Sequence, residues 1–285
     1  MVLEILKSIE DVRRWRALHQ EVAFVPTMGN LHAGHLSLVK RAQEATSNVI
    51  VSIFVNPFQF GEGEDLESYP RTLDADMKKL IEAGVSALFL PTAEMLYEDE
   101  PFIIQPPKSL IADLCGKDRP GHFEGVATVV AKFFNIVRPT YACFGKKDYQ
   151  QLRVIESMVS ALNFDIEIIP VPIERASEGL ALSSRNGYLS ENEKMQALLL
   201  SQTLMSMKSE IEHLVKDDAI VTSSYSDLEI KMTALLQTKG FIVDYLTIRA
   251  QKTLKKAMVT DKNLVVLVAA EIGKTRLLDN IEVVI

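Results

Sequence analysis

The sequence has few cysteines, few aromatic residues and no excess of positive charge. Two of its 285 residues are cysteine and one is tryptophan, while 38 acidic residues outnumber 31 basic ones, giving a formal charge of −7. Cys115 and Cys143 lie far apart without metal-ligand or redox spacing, so we predict reduced core or near-core thiols in a cytosolic protein. The acidic balance disfavours nucleic acid as a partner, because such proteins need a basic face. Small anions are still possible ligands, since a few local cations can bind them.

Long apolar runs are also missing. The longest clean run, residues 264–270, is too short to span a bilayer and is typical of a buried strand. The opening segment, MVLEILKSIEDVRRWR, carries acids and bases throughout and lacks the apolar stretch of a signal peptide. No internal repeat or low-complexity tract occurs. We therefore predict a soluble, cytoplasmic protein with no membrane partner, and the 47% hydrophobic content predicts a substantial core.

Strand-like and helix-like segments alternate along the first two-thirds of the chain. Strands are predicted at residues 21–27, 48–55, 86–90, 141–144 and 165–171, and helices at 36–45, 73–82, 125–137 and 149–162. This order predicts parallel βαβ units in a Rossmann-like, doubly wound α/β sheet. Ligands of such sheets bind beyond the carboxyl ends of the strands.

The character of the sequence changes after residue 185. Helices are predicted at residues 191–215 and 227–237, and strands at 241–249, 264–270 and 281–285. We therefore predict two domains, a nucleotide-binding domain at residues 1–178 and a smaller, lid-like α+β domain at 179–285. The segment RASEGLALSSRNG at 175–187 would lie between them, where a loop can close over a ligand.

Two of the five histidines fall in the segment PTMGNLHAGH at residues 26–35. It follows a predicted strand and opens a helix, where unpaired backbone N–H groups and the helix dipole favour phosphate. Gly29 allows a tight turn, and Gly34 allows a flat base or ribose to approach the backbone. His32 and His35 are three residues apart, so both imidazoles can point the same way and donate to phosphate oxygens. A two-histidine metal site and a merely polar helix start are the alternatives.

Six ordered segments resemble one known family. They are PTMGNLHAGH at 26–35, VSIFVNPFQF at 51–60, YPRTLDAD at 69–76, RPGHFEGV at 119–126, CFGKKDYQQL at 143–152 and GLALSSRNGYL at 179–189. The first contains the HxGH ("HIGH"-type) motif of the nucleotidyltransferase superfamily, which includes class I aminoacyl-tRNA synthetases. Over essentially its whole length the chain closely resembles the pantothenate synthetase (pantoate–β-alanine ligase) family within that superfamily.

The resemblance implies an ATP-dependent ligase of pantothenate and coenzyme A biosynthesis. (R)-pantoate would attack the α-phosphate of Mg·ATP to give pantoyl adenylate and diphosphate, and β-alanine would then displace AMP to give pantothenate. It further implies Mg²⁺ beside the ATP co-substrate, a homodimer, and pantoate binding by the first domain.

The resemblance also implies roles for individual residues. It implies catalytic roles for His32, His35, Lys147 and Arg185, with His35 as proton donor. It implies that Gln59 and Gln151 bind pantoate, that Gln59 also meets β-alanine, and that Asp76 lies near magnesium. It implies ATP contacts for Met28, Gly29, Asn30, Leu31, His32, Ala33, Gly34, His35, Gly145, Lys146, Lys147, Asp148, Glu174, Leu182, Ser183, Ser184 and Arg185.

The chemistry of these side chains agrees with those roles, although plainer interpretations exist. Lys147 is a compact cation suited to phosphate, and the hydroxyls and guanidinium of SSR at 183–185 can follow the departing phosphates. Read alone, however, SSRNG is only a turn, and Gln59 is only a turn glutamine that can donate and accept. Asp148 could cap a helix, and Asp76 could complement a helix dipole.

Two positions depart from the family pattern, and two other functions stay open. Lys146 and Ala75 stand where the family usually has acids, so we expect only backbone contact at 146. Tyr69, Arg119 and His122 are cleft candidates with equally plausible structural roles. The alternatives are a simple nucleotidyl transferase acting on a phosphate acceptor and a nucleotide-binding regulator without catalysis; the intact histidines and cations disfavour the regulator.

Overall fold

A six-stranded parallel sheet organises the first part of the chain in the computed structural model. Its strands lie in the order β1-β4-β3-β2-β5-β6, and every neighbouring pair is parallel. Their bounds are β1 (Glu4–Leu6), β2 (Ala23–Thr27), β3 (Val49–Ile53), β4 (Ala87–Phe89), β5 (Tyr141–Gly145) and β6 (Glu167–Val171). From β2 the chain winds outward to β3 and β4, and it later returns to β5 on the other side of β2. The winding therefore reverses between β2 and β5, and ligands bind at such a switch point.

Helices connect these strands. They are α1 (Ile9–Ala17), α2 (Ala33–Ala45), α3 (Leu73–Glu82), α4 (Ala93–Leu96), α5 (Lys108–Ile111), α6 (Cys115–Asp118), α7 (His122–Val137) and α8 (Tyr149–Ala161). Among the residues that the structure describes, short 3-10 turns occur at Pro57–Gln59, Lys146–Asp148 and Ser184–Tyr188. The predicted helix at 73–82 agrees with α3 at both ends, whereas β1, α1, α4, α5 and α6 are additions to the predicted order.

The helices cover both faces of the parallel sheet. Phe133 of α7 meets Phe24 of β2 and Phe89 of β4 edge to face, with ring centroids 5.6 and 6.1 Å apart. Val25 of β2 belongs with Val39 of α2 to a separate buried cluster. Because adjacent strand residues point to opposite faces, β2 is buried on both sides, which explains its continuous apolar sequence.

Two helices and a three-stranded antiparallel meander form the second part of the chain. Their bounds are α9 (Glu191–Lys216), α10 (Thr222–Thr238), β7 (Ile242–Ala250), β8 (Asn263–Ile272) and β9 (Thr275–Val284), and the sheet order is β7-β8-β9. Alternate residues of β8, among them Leu264 and Val266, share one buried cluster with Leu200 and Leu204 of α9. The predicted fold class, a Rossmann-like parallel sheet with a smaller α+β part, is confirmed.

The structure describes residues 2–97, 99–216 and 221–285. The chain forms two compact units, Met1–Lys146 with Gln151–Ile173, and Lys147–Gln150 with Glu174–Ile285. We call them the first and the second unit. The domain bounds 1–178 and 179–285 stay a prediction.

Cys115 and Cys143 are both buried and unbridged, and burial raises the pKa of the Cys143 thiol to about 12. None of the helices in the described ranges is long and apolar enough to cross a membrane.

Candidate active site

The loop that follows β2 is held by the carboxylate of Asp76 in α3. Oδ1 accepts the backbone N–H of Leu31 at 2.7 Å, while Oδ2 accepts that of Asn30 at 2.8 Å and the Thr72 hydroxyl at 3.0 Å. Asp76 is completely buried. A buried carboxylate is costly unless its oxygens are hydrogen-bonded, and these three donors meet that need. Asp76 therefore fixes the backbone of the HxGH loop from a residue 45 positions further along the chain.

The backbone of this loop takes a shape that glycine permits. Gly29 has φ +84° and the next residue, Asn30, has φ 49°, so two consecutive residues lie in the left-handed region. A Cβ at Gly29 would stand 3.1 Å from Cγ2 of Ile53 and 3.2 Å from Oδ2 of Asp76. Both conformation and space therefore require glycine here, which supports the predicted tight turn.

His32 and His35 form a reciprocal cap at the start of α2. Nδ1 of His32 accepts the backbone N–H of Gly34 at 3.1 Å, and Nδ1 of His35 accepts that of His32 at 3.3 Å. The ring centroids are 4.1 Å apart. Because both Nδ1 atoms accept, the proton of each neutral imidazole resides on Nε2. The N–H donor of each ring is thus at Nε2, whereas the cap is made through Nδ1.

Gln59 ends the 3-10 turn after β3, and its amide is oriented by Asn56. Oε1 of Gln59 accepts from Nδ2 of Asn56 at 3.1 Å, and its Nε2 lies 3.1 Å from Sδ of Met28. The structure thus brings together Met28 and Gln59, which were predicted separately. Asn56 is buried and also accepts from the hydroxyl of Tyr97 at 2.7 Å. Burial raises the pKa of Tyr97, so this hydroxyl keeps its proton for the bond.

The backbone carbonyl of Gln59 is held from a second direction. Nδ1 of His122 lies 2.8 Å from this oxygen, and Nη2 of Arg119 donates to it at 3.3 Å. Nη1 of Arg119 lies 3.0 Å from Nε2 of His122. A guanidinium can only donate, so Nε2 accepts and Nδ1 carries the proton that reaches Gln59. Arg119 and His122 are cleft candidates by sequence, and in the structure both contact the backbone carbonyl of Gln59.

Glu64 in turn fixes Arg119. Its two carboxylate oxygens accept from Nε and Nη2 of Arg119 at 2.7 and 2.6 Å. Burial by itself raises the pKa of Glu64, but the hydrogen bond and charge of Arg119 outweigh burial and hold the pKa below its ordinary value. Asn56, Glu64 and Tyr97 were not predicted as site residues. Only the position of Asn56 before the Pro57 turn gave a local signal, because asparagine commonly caps such turns.

Further predicted residues lie at the edge of the parallel sheet where the strands have their carboxyl ends. β2 and β5 are parallel neighbours with Ala23 opposite Tyr141, so the loop after Thr27 and the residue Gly145 leave the same edge. Lys146 follows Gly145 directly, and Gln151 lies in the first turn of α8. These three belong to the first unit, like the HxGH loop and Gln59.

The remaining predicted residues belong to the second unit. Nζ of Lys147 lies 3.7 Å from Oδ1 of Asp148. The carbonyl of Glu174 accepts the N–H of Leu182 at 2.9 Å, which closes a short hairpin. Ser183 caps the following 3-10 turn, because its hydroxyl accepts the N–H of Arg185 at 3.3 Å, and Ser184 opens that turn.

The described residues contain no group of three or more His, Cys, Asp or Glu placed to hold a metal ion. The residue expected near magnesium, Asp76, is buried with both carboxylate oxygens engaged by the loop and by Thr72. These contacts give Asp76 a structural role in holding the loop, and its place near magnesium stays a prediction.

The comparison with protein families decides between the functions left open by the sequence. The family model for pantoate–β-alanine ligases matches residues 4–282. The chain belongs to the pantoate–β-alanine ligase family. A pantothenate synthetase of Laribacter hongkongensis is 51% identical over 283 residues, and one of Neisseria meningitidis serogroup C is 50% identical; each alignment covers 99% of both chains.

Solved structures agree with the pantoate–β-alanine ligase assignment. A pantothenate synthetase from Thermus thermophilus superposes with a TM-score of 0.90 at 40% identity, covering 99% of this chain and 100% of that one. A pantoate–β-alanine ligase from Francisella tularensis, complexed with β,γ-ATP and β-alanine, superposes with a TM-score of 0.76 at 33% identity, covering 98% and 97%. The predicted family and ligase activity are confirmed by this agreement over the whole chain.

Proposed function

We propose that this ligase condenses pantoate with β-alanine through a pantoyl adenylate formed from ATP. The observation that carries the proposal is the HxGH loop at the switch point of the sheet. Nδ1 of each histidine there accepts a backbone N–H, so each neutral ring has its proton on Nε2. The Gln59 amide lies against Met28 of the same loop. The imidazole N–H donors suit a phosphate group, and the Gln59 amide, which can both donate and accept, suits a hydroxy acid bound next to that phosphate.

In the first step, the pantoate carboxylate attacks the α-phosphorus of ATP and diphosphate leaves. Charge grows on the phosphate oxygens, so donors already in place stabilise the transition state more than the ground state. His32, His35, Lys147 and Arg185 would supply this stabilisation, with His35 donating a proton toward the leaving oxygens. Gln59 and Gln151 would hold pantoate through its hydroxyls and carboxylate.

In the second step, the amine of β-alanine attacks the acyl carbon of the mixed anhydride and AMP departs. Binding of β-alanine is supported by the Francisella tularensis relative, whose structure was solved with β-alanine and an ATP ligand. A mixed anhydride is easily hydrolysed, so the site must exclude water until the amine arrives.

ATP would enter as its magnesium complex, with the ion held mainly by phosphate oxygens and water. The remaining ATP contacts would come from the backbone of residues 28–35 and 145–148 and from Glu174, Leu182, Ser183 and Ser184. A cytoplasmic location and a homodimer are further parts of the proposal, and the family resemblance supports both.

Isotope labelling tests this proposal. Pantoate labelled with ¹⁸O in its carboxylate should pass label to AMP, because one carboxylate oxygen becomes the bridge to phosphorus and departs with it. ATP and pantoate alone should release about one equivalent of diphosphate per site, with β-alanine required for fast AMP release. Unlabelled AMP during normal turnover would contradict the adenylate. A simple nucleotidyl transferase would not need β-alanine, and a regulator would release no diphosphate.

A further inference from the structure

Two adjacent polar residues, Asp279 and Asn280, are buried in the middle of β9 in the second unit. They lie opposite Val268 and Leu267 of β8. A buried carboxylate is rare unless it is paired, and aspartate and asparagine are both disfavoured in strands. Hydrogen-bonding or charged partners must therefore offset the free-energy cost of burying these two side chains.

The partner of Asp279 is Arg175. Nη1 and Nη2 of Arg175 donate to the two carboxylate oxygens at 2.7 and 2.8 Å, and Nη2 also donates to the carbonyl of Asn280 at 3.2 Å. Arg175 pairs with Ala181 across a short hairpin and donates to the carbonyl of Gly179 at 3.0 Å. The bidentate pair therefore attaches the whole hairpin to β9.

That hairpin leads directly into the segment Leu182–Ser183–Ser184–Arg185. Asn186, the next residue, donates from Nδ2 to the carbonyl of Ala181 at 3.0 Å, which ties the 3-10 turn back to the hairpin. The backbone that carries the Arg185 guanidinium thus depends on the attachment of Arg175 to Asp279.

Asn280 attaches a second segment to the same strand. Its Nδ2 donates to the carbonyl of Lys147 at 2.9 Å, across 133 positions of sequence. Two residues further on, Oε1 of Glu282 accepts from the hydroxyl of Tyr149 at 3.2 Å. These contacts explain why Lys147–Gln150 belongs to the second unit although it lies in sequence between β5 and most of α8.

We propose that Asp279 and Asn280 are positioning residues for adenylate formation. One strand, β9, sets the separation of the Lys147 ammonium from the Arg185 guanidinium, because Asn280 holds the first segment and Asp279 holds the second through Arg175. The inference rests on the proposed function, in which both cations bind the phosphates of ATP. Preorganised charge is effective only at the right distance, and a misplacement of about 1 Å can cost about 10²-fold in rate.

The test uses near-isosteric variants of the full-length enzyme. Asn280→Leu removes the donor to Lys147, and Asp279→Asn removes the charge that pairs with Arg175. Each should lower the single-turnover rate of diphosphate release from ATP and pantoate about 10-fold or more and weaken ATP binding. Pantoate affinity should stay within about twofold, because Gln59 and Gln151 lie in the first unit. Thr275→Val is the matched control, since Thr275 is equally buried in β9 and has no part in either attachment.

Double variants separate positioning from a general loss of stability. If Asn280 acts through Lys147, the double variant Lys147→Ala/Asn280→Leu should be less than about twofold slower than Lys147→Ala alone. In the double variant Gln59→Ala/Asn280→Leu, by contrast, the fold-losses in rate of the two single variants should multiply. Likewise, the double variant Arg185→Ala/Asp279→Asn should be less than about twofold slower than Arg185→Ala alone. Arg175→Lys, at a partly exposed position, provides a second route if Asp279→Asn does not fold.

The outcomes distinguish the two proposals. Normal rates for Lys147→Ala and Arg185→Ala would overturn the proposed roles of the cations and the inference with them. Impaired cation variants beside full activity in Asn280→Leu and Asp279→Asn would overturn the inference alone. Rate losses that multiply in every double variant would also overturn the inference alone. The same holds for a lower melting temperature of Asn280→Leu and Asp279→Asn with an unchanged rate per folded enzyme.

Discussion

Asp76 and Leu31 are joined by a 2.7 Å hydrogen bond between a buried carboxylate and a backbone N–H of the HxGH loop. The loop therefore depends on an acid in α3 for which the family resemblance implies a place near magnesium. A loop-holding carboxylate and a metal ligand respond differently to substitution, which makes the interpretation testable.

Asp76→Asn should destabilise the enzyme and weaken ATP binding together. The new amide would turn a donor toward the N–H groups of Asn30 or Leu31, and an unmatched buried donor costs about 1–3 kcal/mol. Thermal unfolding and calorimetry with ATP would measure both effects. The exposed Asp74→Asn in the same helix is the control. A raised Mg²⁺ requirement with unchanged stability would favour the metal interpretation.

Replacing the histidines should separate capping from chemistry. His32→Asn keeps a good helix cap but loses the Nε2 donor, so turnover should fall by about 10² while stability stays near that of the parent enzyme. His32→Ala should lose about 1 kcal/mol of stability in addition. His35→Ala should also lower turnover by about 10². Steady-state rates of folded His32→Asn or His35→Ala close to the parent value would contradict the assignment.

Gln59→Ala and Gln151→Ala should chiefly weaken pantoate binding. Each removes a partner of a substrate hydroxyl or carboxylate, at a cost of about 1–3 kcal/mol, while ATP binding changes little. Calorimetric titration with each substrate separately would measure this. Equal losses for ATP and pantoate would argue against a separate pantoate pocket.

His122→Ala should act on pantoate through Gln59. It removes the donor at 2.8 Å from the Gln59 carbonyl, so the turn that carries the amide loses one of its supports. We expect a raised KM for pantoate with a smaller change in the KM for ATP. His122→Asn should restore part of the effect, because an amide N–H can replace Nδ1–H. Without such rescue, His122 would be a packing residue only.

The Glu64–Arg119 pair should make stability depend on pH on the acid side. The pKa of Glu64 is lower in the folded enzyme than its ordinary value, so the unfolded chain binds a proton more readily. The pair stabilises the fold above the ordinary pKa, and this contribution disappears as pH falls through the folded-state pKa. The stability difference between the parent and Glu64→Gln should therefore shrink progressively as the pH of denaturant titrations falls below 4.5, the ordinary pKa of glutamate. A constant difference over this range would show that the pair does not contribute.

The order of strands and helices could be read from the sequence because it depends on neighbouring residues. Apolar runs such as residues 48–55 and helical spacing such as residues 73–82 report burial locally, and both elements occur where predicted. The prediction missed residues 275–280 of β9, because the last strand was predicted only from residue 281 onward. Asp279 and Asn280 resemble a turn in sequence, and only their distant partners explain why they lie in a strand.

The sequence by itself determined the order of most strands and of the longer helices, the fold class and the family, since these follow from local patterns and from motifs in fixed order. Tertiary structure alone decided which residues hold the motifs. It placed Asp76 under the HxGH loop, His122 and Arg119 on the Gln59 carbonyl, and Lys147 in the second unit. Such contacts join residues that are 45 to 133 positions apart, and no spacing rule links positions that distant. They form only when the folded backbone brings a buried donor and acceptor within reach of each other.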